Sequence, residues 1–277
     1  MTADLTSWLS VNERDAPLIV AFPHTGTDIP ADVERDLASP ALSCQDTDWW
    51  LDRLYDFAAA LGATTVRTAI SRSVIDVNRD PSGASLYPGQ ATTELCPTAT
   101  FDGEPLYRLG HAPDPARIDE RRRLYHAPYH VALAAQVARL RARHGRIVLY
   151  DAHSIRSLIP RLFEGELPHF NIGTWRGASC DPALTVAVEA ACAVVGFTQV
   201  TNGRFQGGWT TRTHGLPGDG VHAIQMELAC RAYMDEPTGA LTPANWPPPY
   251  DPDRATPARE VLAKVLESCI AFASGIV

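Results

Sequence analysis

Short, continuous apolar runs punctuate this chain, and each stops at a turn or a polar cluster. Residues 17–22 (PLIVAF) stop at Pro23-His24-Thr25-Gly26, and residues 146–150 (RIVLY) stop at Asp151-Ala152-His153-Ser154. Unalternated runs of this length are what strands covered on both faces look like. Residues 64–70 are β-branched and strand-like, with 73–77 extending or following them, and 170–175, 197–201 and 222–229 add further strands. Between the strands, apolar residues recur at helical spacing. Residues 46–61 read as a helix capped by Asp46 or Thr47, with Trp50, Leu51, Leu54, Tyr55, Phe57 and Ala58 on its apolar face. Residues 117–144 form a long helix, kinked at Pro128 and closed by Gly145. Asp181 caps a helix that has Pro182 at its first position and runs to about residue 195. The last helix starts at Thr256-Pro257 and carries Val261, Leu262, Val265, Leu266, Cys269 and Ile270 on one side.

Strands alternating with helices predict an α/β architecture with a mixed or largely parallel central sheet. One domain spanning residues 1–277 accommodates all of these elements. Residues 80–115 are rich in Pro, Gly and Thr without regular periodicity, the kind of long loop that serves as a lid. Residues 202–220 form a second, Gly-rich loop, and the proline-rich segment 243–257 is a loop before the last helix.

Charge narrows the function. In 277 residues, 24 Lys and Arg face 32 Asp and Glu, a net charge of −8, with 45% apolar residues. That composition belongs to a globular chain and argues against nucleic acid, which needs clustered cations. The one basic concentration, Arg121-Arg122-Arg123 with Arg139, Arg141, Arg143 and Arg146, reads as the solvated face of the long helix. No run approaches the roughly 20 apolar residues of a membrane span. Residues 1–15 lack the pattern of a secretory signal. Six scattered cysteines suit reduced, buried thiols in a cytoplasm better than a disulfide framework. Nothing in the pattern specifies an oligomeric state.

The chemistry gathers at strand ends, where open α/β sheets bind ligands. His24 and His153 each sit just past a buried run and can converge on one point. Neutral imidazoles suit Zn²⁺, with Asp48, Asp46, Asp28 and Asp151 available as carboxylate ligands. Each histidine can equally cap its own strand end. His126 and His130 are a rival pair on one helix face, but no Glu follows His126 and Pro128 disturbs the turn, so substrate contact or core packing suits His130 better. In the stretch 71–80, Arg72, Asn78 and Arg79 interleave with strand-like residues, suiting either bidentate carboxylate binding or a solvated edge where Asp76 and Asp80 satisfy the charge. Glu227 lies inside an apolar run, and a buried Glu is costly unless paired or used as a base.

Taken together, these islands resemble the N-formylglutamate amidohydrolase family, itself similar to the zinc carboxypeptidases and aspartoacylases. The resemblance is carried by Pro23-His24-Thr25-Gly26 with Ile29-Pro30, Asp46-Thr47-Asp48, and Ser71-Arg72 through Asp80. It continues in Asp151-Ala152-His153-Ser154, Asn202-Gly203-Arg204-Phe205, Gly207-Gly208 with Thr210 and Arg212, and Gln225-Met226-Glu227. It spans roughly residues 17–235.

The resemblance implies a three-layer α/β/α, phosphorylase/hydrolase-like fold and one Zn²⁺ held by His24 and His153. Carboxypeptidase-like chains place Glu three residues after the first His, where this chain has Thr27. Asp48 is the expected remaining ligand, ahead of Asp46 or Asp28, because it begins the helix after the first metal loop. Asn78 and Arg79 resemble the pair that grips a substrate carboxylate, Arg72 the arginine that stabilises an oxyanion, and Glu227 the general base. Arg212 resembles a further substrate-binding element, and Asp151 is placed to orient a ligand histidine. The implied reaction is zinc-dependent hydrolysis of N-formyl-L-glutamate to formate and L-glutamate, as in histidine degradation. The rival readings are a related amidohydrolase for another small-molecule N-acyl amino acid, and a non-catalytic protein that binds anionic metabolites.

Overall fold

A computed structural model describes residues 8–276, so the reading of residues 1–15 falls, for its first seven positions, outside the described residues. Among them, seven strands form one mixed sheet: β1 (Leu9–Asn12), β2 (Leu18–Phe22), β3 (Thr64–Thr68), β4 (Ile147–Ile155), β5 (Phe170–Gly173), β6 (Gln199–Thr201) and β7 (Val221–Ala229). Their order is β1-β3-β2-β4-β7-β5-β6. The four central strands β3, β2, β4 and β7 are parallel, whereas β1 and β5 run antiparallel to their inner neighbours. The helices are α1 (Ala31–Glu34), α2 (Pro40–Ser43), α3 (Leu51–Leu54), α4 (Pro115–Arg121), α5 (Ala127–His144), α6 (Pro182–Cys192), α7 (Trp209–His214) and α8 (Pro252–Ala273).

Two apolar layers sandwich the sheet, as expected of an α/β/α fold. Val20, Tyr150, Ile224 and Met226 pack with Leu184 and Val188 of α6 and Leu262 and Leu266 of α8. On the opposite face Ile19, Ala21, Leu149 and Ala223 pack under Tyr129, Leu133 and Leu140 of α5.

The site grows out of a change of character along single strands. Side chains alternate along a strand, so Asp151 and His153 follow Ile147 and Leu149 on the α5 face of β4. On β7, Gln225 and Glu227 follow Val221 and Ala223 in the same way. The parallel register pairs Asp151 with Gln225 and His153 with Glu227. Each strand is therefore apolar where α5 covers it and polar where it reaches the cleft. All nine residues of β4 are buried.

Several expectations need correction. The strand predicted to end at residue 150 continues to Ile155, because its polar residues are ladder-paired to β7. The helix predicted over 46–61 is only the short α3 followed by a 3₁₀ turn, Asp56–Ala59. Residues 46–48 are held out of it: the Asp48 N–H donates to the His24 carbonyl at 3.0 Å, and Trp50 takes a left-handed φ of 64°. Residues 73–77 form turns instead of a strand. The predicted kink at Pro128 is a π-helical turn, Arg122–His126, joining α4 to α5, which accommodates the missing proline N–H. Arg121 does not belong to a solvated face: it is buried and donates to the Val74 carbonyl and the Tyr107 hydroxyl at 3.1 and 2.8 Å. β1 and α7 lie in stretches where the sequence predicts neither. The loop 80–115 carries no helix until Pro115, but Leu95, Cys96, Leu106 and Tyr107 anchor its second half in a small apolar cluster with Val74 and Ile75. All six cysteines are free thiols, five of them buried.

Candidate active site

Three donor atoms from three distant segments meet just past the end of β2 and at the C-terminal end of β4. His24 Nδ1 lies 3.1 Å from His153 Nδ1, and Asp48 Oδ2 lies 3.7 and 3.3 Å from them. All three residues are buried. Gly26 allows the loop carrying His24 to lie on the neighbouring chain, since a Cβ there would stand 2.4 Å from the Ala69 and Ile70 backbone. Asp48 Oδ2 accepts from the Ser154 N–H at 3.1 Å, while Asp48 Oδ1, also buried, has no hydrogen-bond partner.

The outer faces of both imidazoles are committed to carboxylates. His24 Nε2–H donates to Asp76 Oδ1 at 2.6 Å, while His153 Nε2 lies between Asn78 Nδ2 at 2.9 Å and Asp151 Oδ1 at 3.1 Å. At His24 that fixes the tautomer and leaves Nδ1 free; at His153 a proton on Nε2, facing Asp151, would leave Nδ1 free as well. Two lone pairs 3.1 Å apart require a proton or a cation between them. Burial and the Arg72 charge push the His24 pKa down. At His153 burial is outweighed by the Asp151 and Asp48 carboxylates, which push it up. Tetrahedral N and O ligands at about 2.0–2.1 Å from zinc lie about 3.3 Å apart. The spacing and chemistry of the three donors thus fit a divalent ion, and among the described residues this is the one such cluster.

A layer of partners locks this arrangement. Asp76 takes, besides His24, Arg72 Nη2 at 2.8 Å and the Asn78 N–H at 2.9 Å. Burial opposes its charge, but His24, Arg79 and Arg72 hold its carboxyl well below the usual range. Asp151 Oδ2 accepts from Asn78 Nδ2 and Thr211 Oγ1, both at 3.2 Å. Asn78 Oδ1 accepts from the Thr210 N–H at 2.8 Å. A Cβ at Gly208 would sit 2.3 Å from the Asn78 amide nitrogen, so glycine is required for this approach. Behind Asn78, His126 and His130 donate Nε2–H to the Arg79 and Val77 carbonyls at 2.9 and 2.7 Å, and His214 Nε2–H donates to His130 Nδ1 at 3.2 Å. Burial holds His130 down at about 3, so it stays neutral.

His24 and His153 of the donor trio line a cavity of about 550 Å³, counting its open mouth. Glu227 faces it, 8% exposed, with Gln225 Nε2 donating to Glu227 Oε2 at 3.2 Å. Burial pushes the Glu227 carboxyl up to about 7, against the lowering charge of His153. Arg72 also lines the cavity, lying 3.6 Å from Asp48 and 4.8 Å over the Phe101 ring. Arg79 is anchored to the Thr93 carbonyl and hydroxyl at 3.1 and 3.0 Å.

Of the residues expected from the sequence, His24, Asp48, His153, Glu227, Arg72, Asn78 and Arg79 come together here. Arg212 and His130 do not line the cavity. Arg212 donates to the Gly207 and Leu86 carbonyls, both at 2.9 Å, and so fastens the loop. His130 is spent on Val77 and His214. Asp46 accepts from the Phe101 N–H at 2.7 Å and sits near Arg156, while Asp28 is exposed, so neither joins the trio. Asp76 as partner of His24, and Arg204 as part of the cavity wall, are placements the sequence left unassigned. The only signal for Asp76 is its position two residues before Asn78.

The family model for N-formylglutamate amidohydrolase matches residues 16–234. The chain is 46% identical over 268 residues to an N-formylglutamate deformylase of Pseudomonas aeruginosa, covering 95% of this chain and 96% of that one. It is 44% identical, with the same coverage, to an N-formylglutamate deformylase of Pseudomonas putida. In fold it is similar to a crystal structure of N-formylglutamate amidohydrolase from Ralstonia eutropha, at a TM-score of 0.78 and 22% identity over 98% of this chain and 100% of that one. A gene product of Agrobacterium tumefaciens matches at a TM-score of 0.63 and 18% identity, over 97% and 95% of the two chains. With most of its length matched by that model and by close relatives, the chain belongs to the N-formylglutamate amidohydrolase family.

Proposed function

We propose that this protein is a zinc-dependent N-formyl-L-glutamate deformylase, a single-domain cytoplasmic enzyme releasing formate and L-glutamate as in histidine degradation. The observation that carries this reading is the convergence of His24 Nδ1, His153 Nδ1 and Asp48 Oδ2 beside Glu227, in a cavity that three guanidinium groups line. The names of the relatives support the substrate. Buried free thiols suit a reducing compartment.

His24, His153 and Asp48 would hold the ion, with Asp76 orienting the His24 ring and Asp151 and Asn78 orienting the His153 ring from behind. Zinc, when bound, would lower the pKa of water towards about 7 and polarise the formyl oxygen. Glu227 takes a proton from the attacking water and delivers it to the departing amine. A base whose pKa lies near neutrality suits both transfers. Arg72, pinned by Asp76, presents its charge to the developing oxyanion, a role worth about 3 kcal/mol. Arg79, fixed to Thr93 and next to Asn78, binds the α-carboxylate beside the formamide. Asn78 supports it indirectly, because its amide is committed to Asp151 and Thr210.

The test is metal content measured with formate release from a panel of N-formyl, N-acetyl and N-succinyl amino acids. One zinc per chain and turnover confined to N-formyl-L-glutamate are expected. Full activity after exhaustive chelation sinks the metal mechanism, and preference for another acyl group moves the substrate.

A further inference from the structure

Positive charge in the cavity is not matched evenly. Arg72 is neutralised by Asp76 and Asp48, and Arg79 lies 3.7 Å from Asp76. Arg204 also lines the cavity, yet among the described residues no carboxylate lies within 4.0 Å of it. Its Nε and Nη2 donate to the Leu162 and Ala91 carbonyls at 2.9 and 2.8 Å, which fixes the guanidinium plane. Tyr87 and Phe205 flank it at 5.6 and 5.3 Å. Among the described residues, Nη1 has no hydrogen-bond partner. Burial and the nearby Arg79 charge push the Arg204 pKa down, the sign of a cation held without a counter-ion. Ile155, Leu162 and Phe205 supply apolar wall in the same cavity. Such a wall suits methylenes, and the free guanidinium edge suits a carboxylate beyond them.

We propose that Arg204 binds the side-chain carboxylate of the substrate and so sets the preference for acidic N-formyl amino acids. It takes the role that the sequence resemblance gave to Arg212. This rests on the deformylase reading. A dianionic ligand relieves the repulsion between Arg79 and Arg204, and a neutral side chain leaves the half-buried Arg204 without a counter-ion. That asymmetry makes discrimination large.

The experiment compares kcat/KM for N-formyl-L-glutamate, N-formyl-L-glutamine and N-formyl-L-norvaline in wild type, Arg204→Met and Arg204→Lys. In Arg204→Met the value for N-formyl-L-glutamate falls about 100-fold, mainly through KM, while the two neutral substrates change less than about threefold. Arg204→Lys recovers part of the preference, and zinc content is unchanged in both. Should Arg204→Met fail to fold, Arg204→Gln keeps a donor for the loop carbonyls and reads the same ratio. An equal loss on all three substrates, or an undiminished preference for glutamate in an active variant, overturns the proposal. A wild-type protein that deformylates none of them overturns the deformylase reading instead.

Discussion

Around His24, Asp48 and His153 the important side chains are fixed by other side chains, whereas Arg79, Arg204 and Arg212 are fixed by loop backbone. Asp76 joins His24 to Arg72, and Asp151 joins His153 to Asn78 and Thr211, all within buried surroundings. The arginines reach instead to Thr93, Ala91, Leu162, Leu86 and Gly207. A network of buried charges tolerates little displacement, because any partner lost leaves a desolvated charge behind. A guanidinium held on carbonyls moves with its loop. On the proposed reading, the reacting groups are held by a buried side-chain network, and substrate choice falls to arginines tied to surface segments.

The sharpest way to break this division is at the centre. His153→Ala removes a ligand and should abolish stoichiometric zinc, with kcat/KM falling by about 10³ or more. Elemental analysis showing one zinc per chain in that variant would contradict the assignment.

Glu227→Gln separates metal holding from proton transfer. Zinc should be retained and kcat should fall by about 10²–10⁴. The same variant carries a stability signature. In the metal-free protein the Glu227 carboxyl is raised from 4.5 to about 7 by burial. A raised acid stabilises the fold only while protonated, so wild type loses stability as pH climbs from 4.5 through 7. At pH 8 the cost is about 3 kcal/mol, absent below pH 4.5. Chelated Glu227→Gln should therefore outlast chelated wild type in urea at pH 8 and match it at pH 4; equal midpoints at both would refute the buried, strained carboxylate.

Asp76→Asn tests whether the support around the trio matters as much as the trio. Zinc affinity should weaken by about 10–100-fold, read by competition with a chelator, while KM for substrate moves less. The smallest effect is expected from behind the site. His130→Ala leaves the Val77 carbonyl without its donor, costing about 1–3 kcal/mol of stability and loosening Asn78. Activity lost without any drop in thermal midpoint would give His130 a direct role that the geometry does not support.

Much of the sheet was legible because its central strands are unbroken apolar runs. The end of β4 was not, since Asp151, His153 and Ser154 look like a loop until the β7 ladder is seen to continue beside them. The helix expected over residues 46–61 failed for a related reason. Asp46 and Asp48 have the composition of an N-cap, but tertiary partners at Phe101, His24 and Ser154 claim them. The meeting of His24, Asp48 and His153 could be anticipated from chemistry, because few residue types suit a metal site. The placing of Arg204 in the cavity wall and of Arg212 outside it could not, since the sequence reads both as one Gly-rich loop, whereas Arg212 lies in the short helix α7.

His153 and Glu227 are directly paired across two parallel strands whose faces turn from apolar to polar midway. Sliding either strand by a single residue would bury the imidazole under α6 and α8 and expel the carboxylate from the cleft. Uptake of a divalent ion by His24, Asp48 and His153 would thus report on strand register as well as on ligand chemistry, because a slipped β4 could not present its imidazole to the other two.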